Sequence, residues 1–147
     1  MKRRSFLNLL LAAGLLSASA NIYAAEHEVK MLNAGADGIM VFEPGYLKIA
    51  PGDTVNFVAV DAGHNAISEV TPDGSKWEVG FDGGKVKFEQ EGINIYYCLP
   101  HKSMAMVGVI QVGNATNKDD AMKQADTIEA GFAMNQGRLK KYMAEVK

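Results

Sequence analysis

A single cysteine in 147 residues rules out an internal disulfide, so no covalent staple supports this chain. Histidine is almost as scarce, with three residues, and the eight methionines are scattered rather than gathered into a tract. Positive charge is also in short supply. Fifteen Lys and Arg stand against 17 Asp and Glu, and Lys2, Arg3 and Arg4 supply three of the fifteen. Without those three the balance is 12 minus 17, or -5, which argues against nucleic acid as a partner because phosphate binding needs clustered Lys and Arg. The apolar run from Leu9 to Leu16 falls well short of the roughly 20 residues a bilayer span requires, so no membrane anchor is expected. Repeats and low-complexity segments are absent too.

Residues 1–24 read as an export signal, with a basic start, the Leu9–Leu16 apolar stretch and small residues up to Ala24, after which cleavage is expected within one residue. Arg3-Arg4-Ser5-Phe6-Leu7 resembles a twin-arginine signal, and ordinary secretion signals carry paired arginines as well, so both routes stay open. A lipoprotein is excluded, because it needs a cysteine at the cleavage point and the only one is Cys98. Residues 25–147 then form one domain, large enough for a real core.

Residues 26–112 read as short strands. Val29–Leu32, Tyr46–Ile49, Thr54–Val58, Lys85–Phe88, Ile93–Tyr97 and Val107–Val112 are rich in branched and aromatic residues. Pro51-Gly52-Asp53, Pro72-Asp73-Gly74 and Asp82-Gly83-Gly84 suit the turns between them. This spacing predicts a mainly β protein, an antiparallel sandwich. The tail over 117–147 changes character. Asn117 is placed to cap one helix, and Leu139, Tyr142, Met143 and Val146 recur at helical spacing in a second, both expected to pack on the sandwich.

Chemistry concentrates in Cys98-Leu99-Pro100-His101-Lys102-Ser103-Met104-Ala105-Met106, between two strands, with His64 upstream in Asp61-Ala62-Gly63-His64-Asn65. Each residue alone has an ordinary explanation as a surface histidine or a core sulfur residue. Together, His64, Cys98, His101 and Met106 supply two imidazoles, a thiolate and a weak thioether, the donor set of an electron-transfer copper site. Thiolate and thioether suit Cu(I) and imidazole suits both oxidation states, so a rigid frame around this mixture leaves little to rearrange when an electron moves. His27 has no partner ligand nearby in sequence and is left out.

Val29-Lys30-Met31-Leu32-Asn33, Met40-Val41-Phe42-Glu43-Pro44, Pro51-Gly52-Asp53-Thr54-Val55, Gly63-His64-Asn65 and Cys98-x-Pro100-His101-x-x-Met104-x-Met106 together resemble the pseudoazurins, blue copper proteins of the cupredoxin family found in the bacterial periplasm. The resemblance spans the mature chain. It implies a Greek-key sandwich carrying two C-terminal helices, and one copper ion bound by His64, Cys98, His101 and Met106, with Met104 near the surface. Asn65 would bond across the ligand loops and support the cysteine, and His101 would present its edge amid Met40, Pro100 and Met104. The implied role is a monomeric periplasmic electron carrier, not an enzyme, working between a c-type cytochrome and a copper nitrite reductase. The family's ring of docking lysines is depleted here: Ala34, Ala62 and Tyr97 stand at three of its positions, leaving Lys102.

A zinc or cysteine hydrolase fits poorly, since catalytic zinc recruits no methionine and no matching signature is present. A copper-delivery module without electron transfer is the remaining alternative. Such modules tend to carry exposed Met-rich or His-rich tracts, which this chain lacks.

Overall fold

The computed structural model describes residues 23–147; the expected export signal lies outside the described residues except for Tyr23 and Ala24. Among the described residues, nine strands form two sheets. β1 (Glu26–Gly35), β2 (Gly38–Glu43), β4 (Thr54–Ala59) and β7 (Gly84–Lys87) make one, in the order β2-β1-β4-β7. The other has the order β3-β9-β8-β5-β6, from β3 (Tyr46–Ile49), β5 (Ala66–Val70), β6 (Glu78–Val79), β8 (Gly92–Tyr97) and β9 (Val107–Val112).

The sandwich is not purely antiparallel, which corrects the expectation from turn spacing. β1 pairs with β4 and β3 with β9 in parallel, because the chain crosses to the opposite sheet as β3 before returning as β4 beside β1. Greek-key crossings of this kind leave few hairpin neighbours. β2, β5 and β6 carry weaker sequence signals: β5 buries Ala66 and Ser68, neither a strong strand former, and β2 contains Met40 at φ 49, which breaks its alternation.

Two apolar layers result. Val29, Met31, Phe42, Val55, Phe57, Tyr96 and Ile110 fill the space between the sheets, where Tyr96 meets Phe42 and Phe57 edge-on at 4.7 and 5.4 Å. Ile93, Ile95, Val107 and Val109 face the other way, under α1 (Lys118–Ala130) and α2 (Arg138–Met143). All six residues of β9 are therefore buried, and its one polar side chain, Gln111, is satisfied by the Tyr46 hydroxyl at 2.8 Å and the Gly113 carbonyl at 2.9 Å.

Asn117 sits at the start of α1 but its side chain caps nothing. Its amide instead accepts from the Ile93 N–H at 2.7 Å and donates to the Ile93 carbonyl at 3.0 Å, so the capping residue is spent on pinning the helix to β8. Val146 lies beyond the end of α2 yet stays buried.

The start of β1 is held by Asp53, a buried carboxylate in the turn before β4. It accepts from the Ala25 N–H at 2.8 Å and the Ala50 N–H at 3.0 Å, and lies 2.8 Å from His27 Nε2. The His27 contact, followed by those amide bonds, holds the Asp53 carboxyl below its ordinary value. Stability from a depressed carboxylate is present above its unfolded pKa, about 3.9, and is lost as pH falls through the folded value. Urea midpoints of the wild type are therefore expected to fall more steeply below about pH 4 than those of Asp53→Asn; parallel curves would show that the contacts carry no linkage.

Candidate metal centre

Cys98 directly follows β8, and the loop after it coils as a 3-10 turn over Leu99–Met104 before β9 begins. Four backbone bonds close this loop: His101 N–H to Cys98 O at 3.2 Å, Ala105 N–H to Lys102 O at 3.0 Å, Met106 N–H to His101 O at 3.2 Å, and Cys98 N–H to Met106 O at 2.9 Å. Cys98 and Met106 are thereby held opposite each other, both fully buried in the core between the sheets. His64 arrives from the loop between β4 and β5, just after Gly63 at φ 87, a turn conformation that glycine adopts without steric cost. Asp61 ties that loop to β1, accepting from the Asn33 N–H at 2.7 Å and donating its own N–H to Met31 O at 3.2 Å.

Three donors converge. The Cys98 Sγ lies 3.4 Å from His101 Nδ1 and 3.8 Å from His64 Nδ1, and the two Nδ1 atoms are 3.1 Å apart. His64 Nε2 faces Asn33 Oδ1 at 2.8 Å. An amide oxygen only accepts, so the His64 proton belongs on Nε2 and the Nδ1 lone pair points into the cluster. Burial, reinforced by the nearby His101, keeps His64 below its ordinary pKa and hence neutral. Burial also pushes the Cys98 thiol up, opposed by backbone hydrogen bonds from Asn65 and His101, so a metal must displace the proton.

The two Nδ1 atoms lie 3.1 Å apart beside the sulfur, a spacing that a proton on His101 Nδ1 can bridge as a hydrogen bond and that a metal ion replacing that proton can bridge with both lone pairs. Two metal–nitrogen bonds of about 2 Å meeting near a right angle span about 3 Å, so the spacing fits a bound ion. Nitrogen and thiolate donors with a buried methionine on the same loop suit copper.

The family model for copper-binding proteins of the plastocyanin/azurin type matches residues 29–113. The chain belongs to this family. It is 45% identical to a putative pseudoazurin from Rhizobium leguminosarum bv. viciae, covering 72% of each chain, and 43% identical to a pseudoazurin from Paracoccus pantotrophus, covering 78% of this chain and 81% of that one. The crystal structure of native pseudoazurin from Hyphomicrobium denitrificans superposes with a TM-score of 0.70 at 36% identity, over 83% of this chain and 98% of that one. These likenesses make the chain a blue copper electron-transfer protein of the pseudoazurin group, with one copper ion per chain.

In this blue copper protein Asn65 accepts the Leu99 N–H at 2.8 Å, joining the His64 loop to the Cys98 loop. Asn33, which orients His64, enters the sequence reading only as the last residue of the Val29–Asn33 run, with nothing to mark it as a partner of His64; only the pairing of its strand with the His64 loop reveals that role. His27 is engaged with Asp53 and takes no part in the cluster.

His101 is half-buried, with Leu99 and Pro100 exposed beside it and Met40 and Met104 half-buried. Leu99, 58% exposed, adds apolar surface that its sequence neighbours did not predict. Lys102, the remaining basic neighbour, is not free: its Nζ lies 2.7 Å from Glu69 and 4.2 Å above the Tyr97 ring. Tyr97 thus replaces a cation in sequence and engages another in space.

Proposed function

We propose that His64, Cys98, His101 and Met106 hold the copper ion, and that the chain carries single electrons between periplasmic proteins without catalysing a reaction of its own. A c-type cytochrome is the proposed donor and a copper nitrite reductase the proposed acceptor. The observation that carries this reading is the convergence of two Nδ1 atoms and one thiol sulfur at the end of a rigid sandwich. Copper bound there supplies a one-electron Cu(I)/Cu(II) couple. The chain's own residues keep the donors in place: Asn33 fixes the ring of His64, Asn65 ties the two loops, and the backbone bonds of the ligand loop set Met106 against Cys98. His101, half-buried among Leu99, Pro100, Met40 and Met104, gives the electron a short path to the surface. The export signal read in residues 1–24 supports the periplasmic assignment.

The test is turnover. Chemically reduced copper protein mixed with a copper nitrite reductase and nitrite should be reoxidised many times over, and failure to reoxidise would remove the proposed acceptor.

With Lys102 paired to Glu69 and a mature charge of 12 minus 17, or -5, long-range steering toward an acidic partner is weak. The association rate is expected to change less than about tenfold between low and moderate ionic strength, as stopped-flow mixing would measure. A steeper fall would show that lysines elsewhere guide docking.

A thioether would be the weakest of the four copper donors, so Met106→Leu is expected to keep copper and its colour while moving the reduction potential. An unchanged potential and spectrum would place the axial donor elsewhere.

A further inference from the structure

The turn that leads into Met106 is gripped from outside the sandwich. Ser103 O accepts the Ala133 and Met134 N–H groups at 2.8 and 3.2 Å, Met104 O accepts Asn135 Nδ2 at 3.0 Å, and Ala105 O accepts Arg138 Nη1 at 2.9 Å. Three consecutive carbonyls of the ligand loop are thus bound by the segment that joins α1 to α2 and by the first residue of α2.

Arg138 does more than close that row. It is buried, and its guanidinium also donates to Met40 O at 2.9 Å through Nη1 and to Asp37 O and Ile39 O at 3.0 Å through Nη2. A cation taken out of water needs strong reasons to be there, and here its contacts are directed at backbone carbonyls. Two of those carbonyls belong to residues in the left-handed region, Met40 at φ 49 and Ala105 at φ 58, a conformation that side-chain-bearing residues keep only when their surroundings impose it. A single Nη1 serves both.

The Ala105 carbonyl lies in the peptide plane that ends at the Met106 nitrogen, and that N–H is bound to His101 O. Arg138 on one side and His101 on the other therefore fix the plane from which Met106 departs. Met40, through the other arm of the same nitrogen, is locked to the ligand loop, so the apolar patch and the turn that leads into Met106 cannot shift independently.

We infer that Arg138 is a positioning residue for the copper centre: by holding Ala105 and Met40 in left-handed conformations it sets the approach of Met106. The inference rests on Met106 being the axial ligand, and Met106→Leu tests that separately.

The experiment compares R138K, A105G and the double variant R138K/A105G, each loaded with copper, by visible spectrum and reduction potential. Lysine keeps the charge but not the planar fork that reaches four carbonyls, so R138K should shift the potential and alter the balance of the thiolate-to-copper absorption bands. Glycine adopts positive φ without strain, so A105G alone should match the wild type and should return the double variant toward it. Should R138K alone fail to fold, a folded double variant with the wild-type spectrum gives the same support. Three results would overturn the inference: R138K with the wild-type spectrum and potential, a double variant as displaced as R138K, or a double variant that cannot fold. An ordinary structural role would lower the denaturation midpoint and leave the spectrum of the folded copper protein unmoved.

Discussion

Replacing Cys98 with serine is expected to abolish the visible colour of the copper-loaded protein. Cys98 is the only cysteine in the chain, so no other thiolate can take over the charge transfer to copper. Its sulfur sits 3.4 Å and 3.8 Å from the two Nδ1 atoms, and a serine oxygen at the same place is a hard, neutral donor that binds Cu(I) poorly. The fold should survive. Serine matches cysteine in shape, and the Asn65 and His101 amides that reach the sulfur can meet a hydroxyl as well, which limits the cost of burying it to about 1 kcal/mol. Absorption spectra before and after copper titration decide the matter. A variant that keeps an intense visible band would mean that the colour arises from another donor and that the ligand assignment is wrong.

The residues proposed to hold copper were legible as candidates because their types are rare and chemically particular. A lone cysteine, three histidines and a methionine at fixed spacing leave few arrangements, and the structure brings donor atoms of His64, Cys98 and His101 within 4.8 Å of one another. Residues that act through the backbone carry no such mark. Asn33 matters because its Oδ1 meets a ring 31 positions away, and Arg138 because its guanidinium meets carbonyls about a hundred positions upstream. Lys102 shows the same gap from another side: its position near His101 follows from sequence, whereas its pairing with Glu69, 33 residues away, depends on β5 lying beside β8. For the fold, strands with branched and aromatic residues were clear from their alternation. β5 and β6 were hidden, since they are short and lean on small or polar side chains, and the parallel pairings follow from crossings between sheets that local spacing does not encode.

The largest stability effect is expected at the seal between the helices and the second sheet. Leu139 is fully buried in the layer formed by Ile93, Ile95, Val107 and Val109 with Ala121, Ala125 and Tyr142. Those strand residues point away from the main core, and the two helices, with Phe132 between them and Val146 after them, keep that face of β8 and β9 out of water. α2 has only six residues, too few to hold a helix by its own hydrogen bonds, and cannot easily close around a void. Leu139→Ala should therefore cost the lost burial plus an unrelaxed cavity, about 3 kcal/mol, read as a lower urea midpoint at unchanged slope. A loss below about 1 kcal/mol would mean that the tail collapses freely onto the sheet, and that α2 covers the sandwich without being fixed to it. The size of this effect also bears on the copper centre, because the neighbouring Arg138 keeps its hold on Ala105 only while α2 stays docked.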